Sequence, residues 1–125
     1  MMKLDEVEKI KRAGYYALHL HKKSLPEVVT EAEGIARIDE ERAYMRGLFH
    51  CCNAILIGFM TSPSSVWFDY DEICGYSFDT DEGERPTSEQ KRQLDGALFT
   101  LRMIDFIVCR TSVECGVMFA LKGAV

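Results

Sequence analysis

The sequence predicts an all-α fold: a helical bundle of three long helices plus one short helical or irregular segment at about residues 65–76. Three long stretches carry apolar residues at intervals of three and four, which is the period of a helix with one buried face. Capping residues precede two of these stretches, and no second strand is evident that could pair with a first. At 125 residues the chain has the size of one domain, so we expect residues 1–125 to form a single helical domain.

The first two helices are expected over residues 5–23 and from Ser24 to about Met60. Ser24 can cap the second helix, and Glu27 can complete a capping box with it. From Leu48 onward the second helix is apolar on all sides, which indicates a central, buried segment.

Residues 66–78 fit two structures. Val66, Phe68 and Tyr70 stand at every second position, as in a strand, whereas a short helix ended by Gly75 is equally compatible with the composition. Because no partner strand is evident, we predict the short helix.

A last long helix is expected to begin after Thr87, with Gln90 completing a capping box, and to continue to Leu121. A break is expected near Thr111–Ser112 or Gly116. This helix and the buried segment of the second helix are apolar on more than one face, so a lone bundle of this size would leave apolar surface exposed. We therefore expect a homodimer.

Net charge and cysteine content limit the kinds of partner and the cellular compartment that the sequence predicts. The net charge of −5 argues against nucleic acid as the main partner, because that binding needs a surplus of Lys and Arg. The five cysteines are odd in number and form no CxxC pair, so we expect reduced core thiols in a cytoplasmic protein. The longest strongly apolar run is too short to cross a bilayer, and no membrane association is expected.

Sequence motifs that carry a known chemistry are absent. Neither Asp69 nor Asp79 begins a calcium loop, because the glycine and glutamate required at the sixth and twelfth positions are missing. The sequence also lacks Glu-x-x-His pairs, glycine-rich nucleotide loops and the HExxH motif. We therefore predict no metal, no cofactor and no catalytic residue, and favour a non-catalytic protein while leaving enzymatic activity open.

The first functional hypothesis is a binding or regulatory protein that acts through the acidic and aromatic segment 66–84. Acidic side chains next to exposed aromatic ones suit a protein partner, and a basic one in particular. The alternative is that these aromatic side chains only cover the end of the bundle. The residues expected to contact a partner are Trp67, Phe68, Asp69, Tyr70, Asp79, Asp81 and Glu82.

The second hypothesis is a small-ligand or catalytic pocket between the helices. Polar residues interrupt otherwise apolar helices, and a buried charge must be paired, either with another side chain or with a ligand. This hypothesis requires a cavity that touches at least three of the residues in question. They are Arg42, Arg46, His50, Asn53, Arg102 and Asp105.

Overall fold

Four α-helices and three strands make up the described part of the chain. The computed structural model describes residues 4–62, 66–78, 85–114 and 116–125. In chain order the elements are α1 (Leu4–Lys22), α2 (Glu31–Thr61), β1 (Phe68–Asp69), α3 (Tyr70–Ser77), α4 (Ser88–Met103), β2 (Ile107–Ser112), β3 (Gly116–Leu121) and a final 3-10 turn (Lys122–Ala124). None of these helices is long and apolar enough to cross a membrane.

The predicted all-α fold is wrong. The described residues form four α-helices but also a small antiparallel sheet, so the class is α+β. The strands lie in the order β1-β3-β2, with β3 in the centre. Ile107 pairs with Leu121, and Phe68 pairs with Phe119. The strand that β1 seemed to lack is therefore supplied by the C-terminal hairpin.

The last helix ends at Met103, well before the predicted Leu121, because the backbone reverses at Asp105. That residue has a φ of 62°, in the left-handed region. Its N–H donates to the Arg102 carbonyl at 3.1 Å, and the Phe106 N–H donates to the Leu101 carbonyl at 2.9 Å. These two bonds form a Schellman motif with aspartate in the place that glycine usually takes. The break expected near Gly116 belongs to the turn of the hairpin.

Substituting Asp105 should therefore change stability according to how well the new residue tolerates a positive φ. We expect Asp105→Val to lower the free energy of unfolding by about 1–2 kcal/mol, because a β-branched side chain is strained in the left-handed region. Asp105→Asn should stay within about 0.5 kcal/mol of the wild type, since Asn adopts this conformation readily. Urea unfolding measures both. An equal loss of stability in the Asn variant would instead indicate that Asp105 stabilises the fold through its exposed ion pair with Lys122, in which Nζ and Oδ2 are 3.7 Å apart.

Of the two helix starts predicted from capping residues, one is confirmed and one is wrong. Thr87 caps α4 and Gln90 completes the box, which confirms the prediction there. In contrast, α2 begins at Glu31 with Thr30 as its cap, and the Thr30 hydroxyl accepts a hydrogen bond from the Glu33 N–H at 3.1 Å. The Ser24 hydroxyl instead donates to a carbonyl in the last turn of α1.

Segment 66–78 contains both of the structures that its sequence allowed. Phe68 and Asp69 form β1, and α3 follows directly. Asp69 caps α3, because its carboxylate accepts a hydrogen bond from the Glu72 N–H at 2.8 Å. Gly75 lies inside this helix and does not end it.

The core lies around the C-terminal half of α2, as the sequence predicts. Leu48 and Ile55 are fully buried there, and the Phe59 ring stacks on Phe68 with centroids 4.4 Å apart. The thiols of Cys51 and Cys52 are free and buried, and burial raises their pKa values to about 11 and about 12. Both thiols are therefore protonated at neutral pH and behave as small apolar side chains.

Candidate partner-binding site

An open cavity of about 550 Å³ lies where α4 meets β3 and the N-terminal end of α3. We call it the acidic cavity. Its wall contains three carboxylates, one guanidinium, one phenol and four apolar side chains. The lining residues are Asp69, Tyr70, Asp71, Asp95, Leu98, Phe99, Arg102, Val117 and Phe119.

The three carboxylates come from three elements, β1, α3 and α4. Asp69 is held in place by its capping role, and Asp71 follows in the first turn of α3. Asp95 projects from the middle of α4. Within the described part of the chain, none of the three forms an ion pair, and Arg102 forms none either. The rim of the cavity therefore carries more negative than positive charge, with none of it neutralised by a direct ion pair to a described residue.

Tyr70 connects α3 to α4. Its hydroxyl donates a hydrogen bond to the Asp95 carboxylate at 3.0 Å. Burial raises the pKa of Tyr70 well above its usual value, and the negative charge of Asp95 raises it further. The phenol is therefore a neutral donor at any physiological pH, and it fixes the position of Asp95 relative to α3.

Apolar side chains form the rest of the wall. Leu98 and Phe119 are buried, whereas Phe99 and Val117 remain partly exposed to solvent. The Phe99 ring also stacks on Tyr16 of α1, with centroids 6.1 Å apart. The acidic cavity thus continues into an exposed aromatic surface on α1.

The residues predicted to contact a partner have several different roles. Phe68 is only 1% exposed and belongs to the core. Trp67 packs under the Arg110 guanidinium, which lies 4.2 Å from the ring centroid. Asp69 and Tyr70 do line the acidic cavity. The remaining three residues of that prediction lie outside the described part of the chain: Asp79, Asp81 and Glu82.

The six residues of the second hypothesis are not brought together. No cavity described for this chain touches more than two of them. We therefore do not retain the shared polar pocket. Arg42 and Arg46 line a groove between α1 and α2, and Asn53 lines a small cavity beside α1. Arg102 lines the acidic cavity, and Asp105 lies beside Lys122. His50 Nε2 lies 3.1 Å from the Ser77 carbonyl.

Sequence reasoning missed most of the acidic cavity. One signal was available, because Asp95, Phe99 and Arg102 recur at intervals of four and three and so share one face of α4. Val117 and Phe119 could not be assigned to the same place, because only the hairpin and its register bring them there.

Among the residues that the structure describes, no three His, Cys, Asp or Glu side chains are placed to hold a metal ion. Comparison with known proteins gives no relative, since no family model, no curated protein and no solved structure matches the chain.

Proposed function

We propose that this chain is a non-catalytic protein-binding domain whose acidic cavity receives a basic side chain of a protein partner. The observation that carries the proposal is the composition of the wall, in which three carboxylates border an apolar surface. A lysine or arginine has the same division along its length, with an apolar stem and a charged end.

The geometry suits arginine in particular. Its stem can pack against Leu98 and the exposed ring of Phe99, and the guanidinium can also lie over that ring. Its end can donate two parallel hydrogen bonds to a carboxylate, and Asp95 is already fixed by Tyr70 for such a contact. Fixing the acceptor beforehand reduces the entropy that binding must remove.

Arg102 makes the distribution of charge around the acidic cavity uneven. It lies two helical turns beyond Asp95 on α4, so it marks one side of the cavity with positive charge. A partner with an acidic residue beside its arginine would place that residue at Arg102. The reverse orientation would bring like charges together and is disfavoured.

The homodimer expected from the sequence is part of the same proposal. Apolar side chains remain exposed away from the acidic cavity, and Ile35 and Ile38 on α2 are among them. A second copy of the chain would cover such side chains without using the acidic cavity.

Calorimetric titration with a defined peptide tests the binding proposal. The probe is a peptide of alternating leucine and arginine, and its control has citrulline in place of arginine, which keeps the shape but removes the charge. We expect the arginine peptide to bind and the citrulline peptide to bind at least about tenfold more weakly. Binding should also weaken as salt increases, because the carboxylates are exposed.

Variants then locate the binding. Asp71→Lys should weaken the arginine peptide at least about tenfold, because it places a positive charge at the rim. Glu8→Lys, on the exposed side of α1, changes the net charge equally and should bind like the wild type. If both variants lose the same affinity, the peptide senses only the overall charge and the proposal is wrong.

A further inference from the structure

The N-terminal part of α2, residues 31–42, extends as an arm with little packed against it. Most of its side chains are exposed, including Ile35 and Ile38, of which Ile38 retains 51% of its surface. At 1.5 Å per residue the arm is roughly 18 Å long. A short helix with little apolar packing is only marginally stable in water, and the contacts of this arm with the rest of the chain include the polar ones of Arg37 with Pro26 and of Glu41 with Lys22.

A groove overlaps the C-terminal end of the arm. It has a volume of about 660 Å³ and lies between α1 and α2. Tyr15 and Leu18 of α1 form one side, and Ile38, Met45 and Phe49 of α2 form the other. The exposed ridge of the arm therefore runs into this groove on the same face of one helix, and Ile38 belongs to both.

Charge is divided along α2 in the same way. Within residues 31–41 there are five carboxylates and one arginine, whereas residues 42–61 contain two arginines and no acidic residue. Two copies of α2 packed antiparallel would place the acidic arm of each against the basic part of the other. A parallel arrangement would place like charges together.

The charged side chains in and near the groove differ in whether they already form an ion pair. Glu41 pairs with Lys22 at 3.3 Å, and Glu40 pairs with Arg37 at 3.7 Å. Asp39 and Arg46, by contrast, line the groove and have no ion pair within the described ranges.

The geometry points to a two-fold homodimer in which antiparallel α2 helices cross near Arg42. The exposed ridge at Ile35 and Ile38 of one copy fills the groove of the other. Asp39 of each copy approaches Arg46 of the second copy. The contact is isologous, so one surface supplies both ridge and groove, as a closed dimer requires.

Sedimentation velocity at micromolar concentrations tests this surface. The wild type should be a dimer, and Ile38→Glu should raise its dissociation constant about a hundredfold, because a charge would replace a buried anchor. The matched control is Ile57→Glu, which changes an isoleucine of the same helix that is 58% exposed but lies outside the ridge and groove. This control should remain dimeric, and far-UV circular dichroism should show both variants folded.

Charge exchange tests the antiparallel arrangement independently. Asp39→Arg and Arg46→Asp should each weaken the dimer, and the two together in one chain should restore it. A monomeric wild type, a dimer that Ile38→Glu leaves intact, or a double variant as weak as the single ones would overturn the proposal. A dimer broken by Thr111→Pro in β2 but not by Ile38→Glu would overturn it too, in favour of pairing between sheet edges.

Discussion

Leu48→Ala is expected to lower the free energy of unfolding by roughly 3–5 kcal/mol. Leu48 is fully buried in the middle of α2, where three helices meet. A Cβ added to Gly96 of α4 would lie 2.9 Å from Leu48 Cδ1, and one added to Gly14 of α1 would lie 3.4 Å from Cδ2. Because glycine lets both helices approach so closely, the backbone has little freedom to fill the cavity that alanine would leave.

The control for this substitution is Leu20→Ala on α1. The same atoms are removed, but Leu20 is 39% exposed, so the loss should stay under about 1 kcal/mol. Urea unfolding of both variants measures the difference. If Leu48→Ala costs no more than Leu20→Ala, the packing of α1, α2 and α4 described above is wrong.

Phe68→Ala is expected to cost about 3–5 kcal/mol and to act on stability more than on binding. The ring of Phe68 lies between Phe59 of α2, on which it stacks, and the edge of Tyr76, at a centroid distance of 5.8 Å. It therefore joins the sheet to the helices. This expectation replaces the sequence prediction that Phe68 contacts a partner.

Trp67→Ala is the comparison variant that helps to distinguish an effect on stability from an effect on binding. Trp67 is adjacent in sequence but packs against Arg110 on the other face of the sheet, so its loss should cost about 1–2 kcal/mol. Thermal unfolding and peptide titration are measured on the same samples. A Phe68→Ala variant that keeps wild-type stability but no longer binds the arginine peptide would contradict the core position of this ring.

Structure set by neighbouring residues was predictable, and structure set by distant contacts was not. Thr87 and Gln90 lie three residues apart and determine their capping box alone, so the start of α4 follows from the sequence. The start of α2 was misplaced because Ser24 and Thr30 both head capping-box patterns, and local chemistry does not choose between them. In the folded chain Thr30 caps α2, and the Arg37 guanidinium of α2 donates a hydrogen bond back to the Pro26 carbonyl of the connecting segment.

The C-terminal hairpin is a second element whose structure local sequence patterns did not predict. Residues 104–121 have the apolar spacing of a helix as well as the β-branched residues of strands, and the helical period suggested one continuous element. The helix ends instead because Asp105 adopts a positive φ. Few residues other than glycine do so, and the composition of the segment does not reveal it. The acidic cavity depends on this reversal, because Val117 and Phe119 reach α4 only through the hairpin.

The most direct test of the proposed function is to map where the arginine peptide binds by two-dimensional NMR of the labelled protein. We expect the amide signals of Asp71, Asp95 and Phe99 to shift on titration, with the side-chain signals of Leu98 following them. The citrulline peptide should leave these signals in place. Shifts confined to residues outside the acidic cavity, or equal shifts with both peptides, would contradict binding of a basic side chain at this site.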